Sequence, residues 1–302
     1  MKTLLIFLFI SSLQEAHALR IAVISDMNSS YGSTKYNSAV DITVKQLLKE
    51  RPDLVISTGD MIAGQKSGLD YLSMWGSFHK RVTFPLKMAG IPFAVTPGNH
   101  DGSLAIKFKL ERQIYRAQWN EYKPKVSFIH AENYPDYYAF ALDNVLFVSL
   151  DATLVAPLGL KQKTWLQKVL TEKISYRHKI VFGHLPVFPT VAKKAKEIIL
   201  DNELNSLFNK TDVSAYLSGH HHAYYPGKSS SVRHISQGCL GSGPRKLIGQ
   251  TKRSKRSYTI LNLDEKISVE AYDVENNFKL INKKELPESI KFENSFLQRD
   301  DL

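Results

Sequence analysis

An α/β fold ending in a run of strands is predicted by two observations on this chain. Up to about residue 225, short apolar runs of strand type alternate with amphipathic helical patterns. From about residue 230, strands follow one another without helices, which is what a second sheet needs for completion. The run Leu19-Arg20-Ile21-Ala22-Val23-Ile24-Ser25 reads as the first strand, followed by spaced apolar residues over 40–49 that predict a helix. A strand at 54–58, a helical pattern over 69–81, a strand at 93–96 and a helical pattern over 104–122 continue the alternation. Residues 137–141 and 145–150 flank Asp143-Asn144 and predict a tight hairpin. A helix over 160–171 and strands at 180–182 and 213–217 follow, then strands at 232–235, 258–263 and 267–272. With no internal repeat and no Pro- or Ser-rich linker, one domain over residues 19–275 is expected. The polar, weakly patterned residues 276–302 are expected to form a C-terminal appendage.

Five of these apolar runs end just before blocks of Asp, Asn and His. The blocks are Asp26-Met27-Asn28, Gly59-Asp60, Gly98-Asn99-His100-Asp101, Gly183-His184 and Gly219-His220-His221-His222. Ligands at the carboxyl ends of buried strands lie where open α/β sheets place their sites. The glycines let the chain turn sharply off each strand beside a bound group. Such a donor set suits a pair of metal ions. Two ions roughly 3.5–4 Å apart lower the pKa of a bound water, neutralise phosphate oxygens and stabilise the attacking and leaving oxygens of a phosphate ester. Ions that close require a shared anion, for which Asp60 is the candidate. Imidazole and oxygen donors favour Mn, Fe, Zn or Ni over Ca or Mg.

In this order and spacing the blocks resemble the calcineurin-like metallophosphoesterase superfamily, whose pattern reads D-x-H, G-D-x-x, G-N-H-D/E, G-H, G-H-x-H. The resemblance runs from about residue 20 to about residue 225. It implies a four-layer sandwich, two packed mixed sheets flanked by helices, with a dinuclear metal site at the strand ends. It also implies two divalent or trivalent ions, Mn, Fe or Zn. Asp26, Asn28, Asp60 and His222 would surround the first, and Asp60, Asn99, His184 and His220 the second. The implied reaction is hydrolysis of a phosphomonoester or phosphodiester by a hydroxide between the ions. His100 would then be the proton donor to the leaving oxygen, with its tautomer held by Asp101, and Asn99 would help hold the phosphoryl group. The family usually has His where this chain has Asn28. That residue is either a ligand through its amide oxygen or a turn former in Asn-Ser-Ser. Purple acid phosphatases also depart there but add a ligand tyrosine three residues after the bridging Asp, where this chain has Ala63.

Of 302 residues, 43% are hydrophobic and 23% charged, which fits a soluble globular enzyme. Lys2, the apolar run at 4–10 and Ala16-His17-Ala18 predict a signal peptide cut after Ala18, hence a periplasmic or secreted protein. The run is too short for a stable membrane span. Cys239 is the only cysteine, so no intramolecular disulfide is possible, as is more usual in a bacterial periplasm than in a eukaryotic secretory route.

A net charge of +11 attracts polyanions. The densest basic patch, Lys252-Arg253 with Lys255-Arg256, is read as a solvated hairpin turn ahead of a nucleic-acid contact, since no groove-reading motif accompanies it. Gly241-Ser242-Gly243-Pro244-Arg245 either presents N–H groups and a guanidinium to phosphate or simply reverses the chain. Tyr224 and Tyr225 are candidates for an aromatic wall or for the core, and Asp151 for a site acid or a strand cap. His79, His130, His178 and His234 are read as surface or packed histidines. Two further functions stay open at this level: a nuclease or cyclic-nucleotide phosphodiesterase, and a metal-binding scaffold whose catalysis has decayed. An intact His100-Asp101 pair argues against decay.

Overall fold

The computed structural model describes residues 18–302, so the proposed signal peptide lies outside the described residues. The chain enters through β1 (Leu19–Ile24), α1 (Ser38–Glu50), β2 (Leu54–Ser57), α2 (Tyr71–Phe78), α3 (Phe84–Met88) and β3 (Phe93–Val95), and β1, β2 and β3 are parallel neighbours. Local chemistry sets the limits of α1. The Asn37 side chain accepts a hydrogen bond from Ala39 N, Asp41 and Lys49 complement the dipole at either end, and Arg51 closes the helix in the left-handed region. Helix α2 does not stop near residue 81 as its pattern suggests. It continues through a π-helical turn, His79–Thr83, into α3, whose Pro85 sits in the first turn, where a missing N–H is tolerated.

After α4 (Lys109–Glu121) the chain builds β4 (Ser127–His130), β5 (Tyr138–Leu142) and β6 (Val145–Ser149). Strands β5 and β6 form the expected hairpin, with Asp143 and Asn144 both at positive φ, the signature of its two-residue turn. Then come α5 (Leu160–Thr171), β7 (His178–Gly183), α6 (Leu204–Lys210), β8 (Ala215–Ser218), β9 (Tyr225–Ser229) and β10 (Val232–Ser236). The chain returns to the first sheet as β11 (Ser257–Leu263), β12 (Ile267–Asp273) and β13 (Lys279–Leu280), and closes with β14 (Ser289–Phe292) and β15 (Ser295–Arg299). The first sheet has the order β13-β12-β11-β1-β2-β3 and the second β14-β15-β9-β10-β8-β7-β6-β5-β4, both mixed. Residues 276–302, expected as an appendage, therefore extend an edge of each sheet. Their inward side chains Ile290 and Leu297 alternate with polar ones over runs too short to stand out in the sequence.

Strand alternation divides the apolar residues into layers. Ile21 and Val23 face Phe140, Phe147, Phe182 and Leu217 between the sheets, while Ala22 and Ile24 face the helices with Trp75 and Trp119. A third core lies under α5 and α6, around Val181, Leu166 and Phe208. Helices outside two packed sheets make the four-layer sandwich. Residues 237–256 cross from β10 in one sheet to β11 in the other, so the basic patch at 252–256 is not a hairpin turn. No helix among the described residues is long and apolar enough to cross a membrane.

His79 is packed within the helix-side core. Its ring bonds Thr83 Oγ1 at 2.9 Å and Gln118 Oε1 at 3.1 Å and stacks on Tyr122. Burial pushes this histidine down to about 4, with the Gln118 bond opposing in part. A base whose folded value is depressed stabilises the fold above its unfolded value, about 6.5, and loses that contribution as pH falls toward the folded value. The unfolding free energy gap between wild type and His79→Gln should therefore narrow by about 1–2 kcal/mol between pH 7 and pH 5. Urea melts at the two pH values test this, and a gap unchanged by pH would contradict the burial of a neutral ring.

Candidate metal centre

The carboxyl ends of β1, β2 and β3 in one sheet meet those of β7 and β8 in the other. Backbone bonds fasten the loops that leave them: Asp26 N donates to the Gly59 carbonyl, Asn28 N to that of Asp60 and Gly219 N to that of His184. Gly98 lies so close to the backbone of Asp60 that a Cβ there would collide with Asp60 N, hence glycine. Two links join the sheets at this point. His184 Nδ1 donates to the Thr58 carbonyl at 2.8 Å, and His220 N donates to Asp26 Oδ2 at 3.1 Å.

The three histidines share a pattern. His184 gives its Nδ1 proton to Thr58 O, His220 gives Nε2–H to Glu197 Oε2 at 2.8 Å, and His222 gives Nδ1–H to the Gly243 carbonyl at 3.2 Å. Each contact leaves the other ring nitrogen turned inward, a lone pair for a cation once any proton there is displaced, the second-shell arrangement of metal-binding histidines. Those inward atoms meet other acceptors. His184 Nε2 lies 2.9 Å from Asn99 Oδ1 and 3.4 Å from Asp60 Oδ1, and His220 Nδ1 lies 3.0 Å from Asn99 Oδ1 and 3.3 Å from His184 Nε2. On the other side, His222 Nε2 lies 3.0 Å from Asp26 Oδ1, a buried carboxylate oxygen with no hydrogen-bond partner. Ligand atoms of Asp26, Asp60 and His222 all fall within 4.8 Å of one another.

Lone pairs facing lone pairs across 3 Å repel unless a cation or a proton lies between them. The donors fall into two groups that share Asp60, and imidazole with carboxylate and amide oxygen suits Mn, Fe or Zn. The electrostatics agree. Burial works to raise Asp26 and Asp60, but the imidazoles of His222 and His184 outweigh it and hold both carboxyls below their ordinary range. Burial would likewise lower His184, yet the Asp60 charge pushes it up to about 9. Asp26, Asp60, His220 and His222 all adopt positive φ, a conformation non-glycine residues take at a cost and keep where function holds them.

These groups open onto a cavity of about 800 Å³, whose walls include Asn28, Tyr31, His100, Lys194, Glu197 and Arg245. His100 stands at the mouth. Its backbone N donates to Asp60 Oδ1, its ring lies 5.4 Å from that of Tyr31, and its Nδ1 has no partner. Asp101 does not hold the His100 ring as expected. Its carboxylate accepts from Met61 N and Gly98 N, both at 2.6 Å, and so pins the loop beneath the ring. Burial and the charge of Asp60 push this carboxyl up to about 8. Asp151 is buried against Arg112, which also donates to the Gly102 carbonyl, so this acid braces the His100 loop from behind.

Other expectations change. Tyr224 packs in the core between the sheets and Tyr225 in a smaller core against Leu297, so neither lines the cavity; an apolar neighbourhood takes the whole ring. The N–H groups of Gly241 and Ser242 donate to the Asp26 carbonyl and are not free for phosphate. Arg245 does line the cavity, with one guanidinium nitrogen on the His220 carbonyl at 2.5 Å. Arg253 and Arg256 are turned to carbonyls of 240–244, which gives the basic patch a structural task. His221 is not a ligand: both ring nitrogens are engaged, with Thr190 and the Glu197 carbonyl. Ala63 is buried in the helix-side core. Glu197 and Lys194 escape sequence reading because they lie in a short 3-10 turn, Ala192–Lys194, and the irregular chain after it, with no motif around them.

Asn28 is buried at the cavity wall, with its Oδ1 accepting from Ser242 Oγ, which leaves this oxygen one further lone pair. If that lone pair completes the Asp26 group, Asn28→Ala should lose one of two bound ions on dialysis, while Asn28→His should retain Zn(II) more tightly than wild type. Two ions retained by Asn28→Ala at wild-type occupancy would reduce the residue to a turn former.

Comparisons with known proteins agree with this geometry. Residues 19–224 match the family model of calcineurin-like phosphoesterases. The fold superposes on a purple acid phosphatase from yellow lupin (TM-score 0.66, 17% identity), covering 89% of this chain but 53% of the lupin chain, about half its length. It also superposes on a dimetal phosphatase from Danio rerio (TM-score 0.56, 16% identity, 84% of this chain and 95% of the other). A third neighbour is GAP50, the anchor in the inner membrane complex of Plasmodium (TM-score 0.59, 16% identity, 88% and 87%). No curated protein sequence matches the chain. With two thirds of its length matched and its histidines and carboxylates gathered at the strand ends, the chain belongs to the calcineurin-like phosphoesterase family of metal-dependent phosphate-ester hydrolases.

Proposed function

We propose that this protein hydrolyses phosphate esters with two metal ions held by Asp26, Asn28, Asp60 and His222 on one side and by Asp60, Asn99, His184 and His220 on the other. The observation that carries this reading is the tying back of three imidazoles, whose other ring nitrogens converge on two buried carboxylates and one amide oxygen. Ions at these positions supply Lewis-acid activation of water and neutralise phosphoryl oxygens. The side chains supply the rest. Asp60 holds both groups in register through its single buried carboxylate and orients the His100 backbone. His100, ring at the cavity mouth, delivers a proton to the departing oxygen. Arg245 and Lys194 face the same space and offer cationic donors to the phosphoryl group. A cavity of about 800 Å³ takes a small phosphomonoester or phosphodiester. Export by a signal peptide cut after Ala18, to the periplasm or beyond, belongs to the same proposal.

Turnover of p-nitrophenyl phosphate and bis-p-nitrophenyl phosphate with added Mn(II), Zn(II) or Fe tests the activity, and no turnover with any of these metals would overturn it. Asp60→Asn should lose metal and activity together, read by metal analysis beside the assay; two ions at full occupancy in Asp60→Asn would break the ligand map. His100→Asn should keep both ions yet slow alkyl phosphates by about 10²–10⁴-fold, and aryl phosphates less, because their leaving groups need little protonation. Equal losses on both ester types would remove His100 from the acid's role.

A further inference from the structure

Beside the cavity, apolar side chains stand in solvent on the wall segment 154–155 and on two segments that touch it. Ile106 is 92% exposed and Leu110, one helical turn on, 64%, and Leu104, Leu154, Val155 and Leu200 are exposed as well. These residues come from three segments that touch. Leu104 N donates to Thr153 Oγ1 at 3.0 Å, and Leu200 N donates to the Ala156 carbonyl at 3.2 Å. Leu154 and Val155 themselves line the cavity. Isolated surface leucines need no explanation, but six exposed apolar residues on touching segments beside a candidate active site mark an interaction surface.

Its charge points to the partner. Lys107 and Lys109 alternate with Ile106 and Leu110, and Lys193 and Lys196 are exposed beside the cavity on the 192–199 segment. None of these four lysines forms an ion pair among the described residues, whereas the nearby acids are occupied: Glu197 by Lys194 and His220, Asp201 and Glu203 by Lys163. Lys107 Nζ lies over the Phe108 ring, 4.9 Å from its centroid, and apolar tips among lysines without carboxylate partners are the pattern of a surface that enters the interface of an anionic membrane.

Resting on the phosphoesterase reading above, we propose that this apolar patch seats the protein on an anionic lipid surface and that its substrates are phosphate monoesters in lipid headgroups. In phosphatidic acid, water would add its oxygen to phosphorus as the bond from phosphorus to the glycerol oxygen breaks. The products are diacylglycerol and inorganic phosphate, with His100 protonating the glycerol oxygen. Seating the patch would bring such a headgroup to the cavity while its acyl chains stay in the bilayer.

Cosedimentation of the metal-loaded protein with vesicles tests the surface. Wild type should sediment with phosphatidylglycerol-containing vesicles at low salt and poorly with pure phosphatidylcholine vesicles. The double variant Ile106→Asp/Leu110→Asp, altered only at exposed positions outside the cavity, should bind about tenfold more weakly. It should still hydrolyse p-nitrophenyl phosphate at the wild-type rate and lose hydrolysis of vesicle-borne phosphatidic acid. Wild type that hydrolyses p-nitrophenyl phosphate but ignores both vesicle types, or a double variant that sediments as well as wild type, overturns the surface and spares the site. Vesicle binding without hydrolysis of either ester overturns the substrate class and the site reading together.

Discussion

The carboxylate of Asp60, buried at the end of β2, sets the terms for the groups around it. A carboxylate removed from water is costly unless charge and hydrogen bonds compensate it. Here the compensation comes first from His184 of the opposite sheet and then from His100 of its own, so the centre needs the two sheets packed with their carboxyl ends together. The dependence also runs the other way. The His184–Thr58 and His220–Asp26 bonds span the seam where β2 and β1 face β7 and β8. Four residues of the cluster keep a left-handed backbone, and the tight approach of Gly98 to Asp60 leaves no room to relax it.

Behind the cluster, the His100 loop is held as a rigid body. Asp101 takes two backbone N–H groups, Arg112 reaches the Gly102 carbonyl from α4, and Asp151 and Asp136 pair with the guanidinium. The ring of His100 is thus placed by its backbone and by Tyr31, with its buried Nδ1 left without a partner. The proton-donor role proposed for His100 needs this combination: a fixed position, and ring nitrogens not consumed by the scaffold.

Much of this was legible in the sequence because strand alternation and ligand order are local signals. Runs of β-branched and aliphatic residues located β1, β2, β3, β7 and β8, and the Gly-plus-ligand blocks located the centre at their ends. Other features depend on which parts of the chain meet. Strand β9 contains Pro226 and Gly227, which read as turn residues, yet pairing with β10 and β15 holds them extended. The partner of Asp101 could not be known without the folded loop, and adjacency to His100 in sequence suggested the wrong one. Glu197, thirteen residues from the nearest ligand block, supports His220 only because an irregular segment folds back across the centre. Tyr224 follows the last ligand by two residues, yet its ring lies in the core between the sheets and not in the cavity wall.

The central claim is that the donors divide into two groups sharing Asp60, each holding one ion. Anomalous diffraction from crystals grown with Mn(II) measures this directly. Two peaks about 3.5–4 Å apart, one bounded by Asp26 and His222, the other by Asn99, His184 and His220, with Asp60 reaching both, are the predicted result. A single peak, or peaks that Asp60 does not bridge, would contradict it.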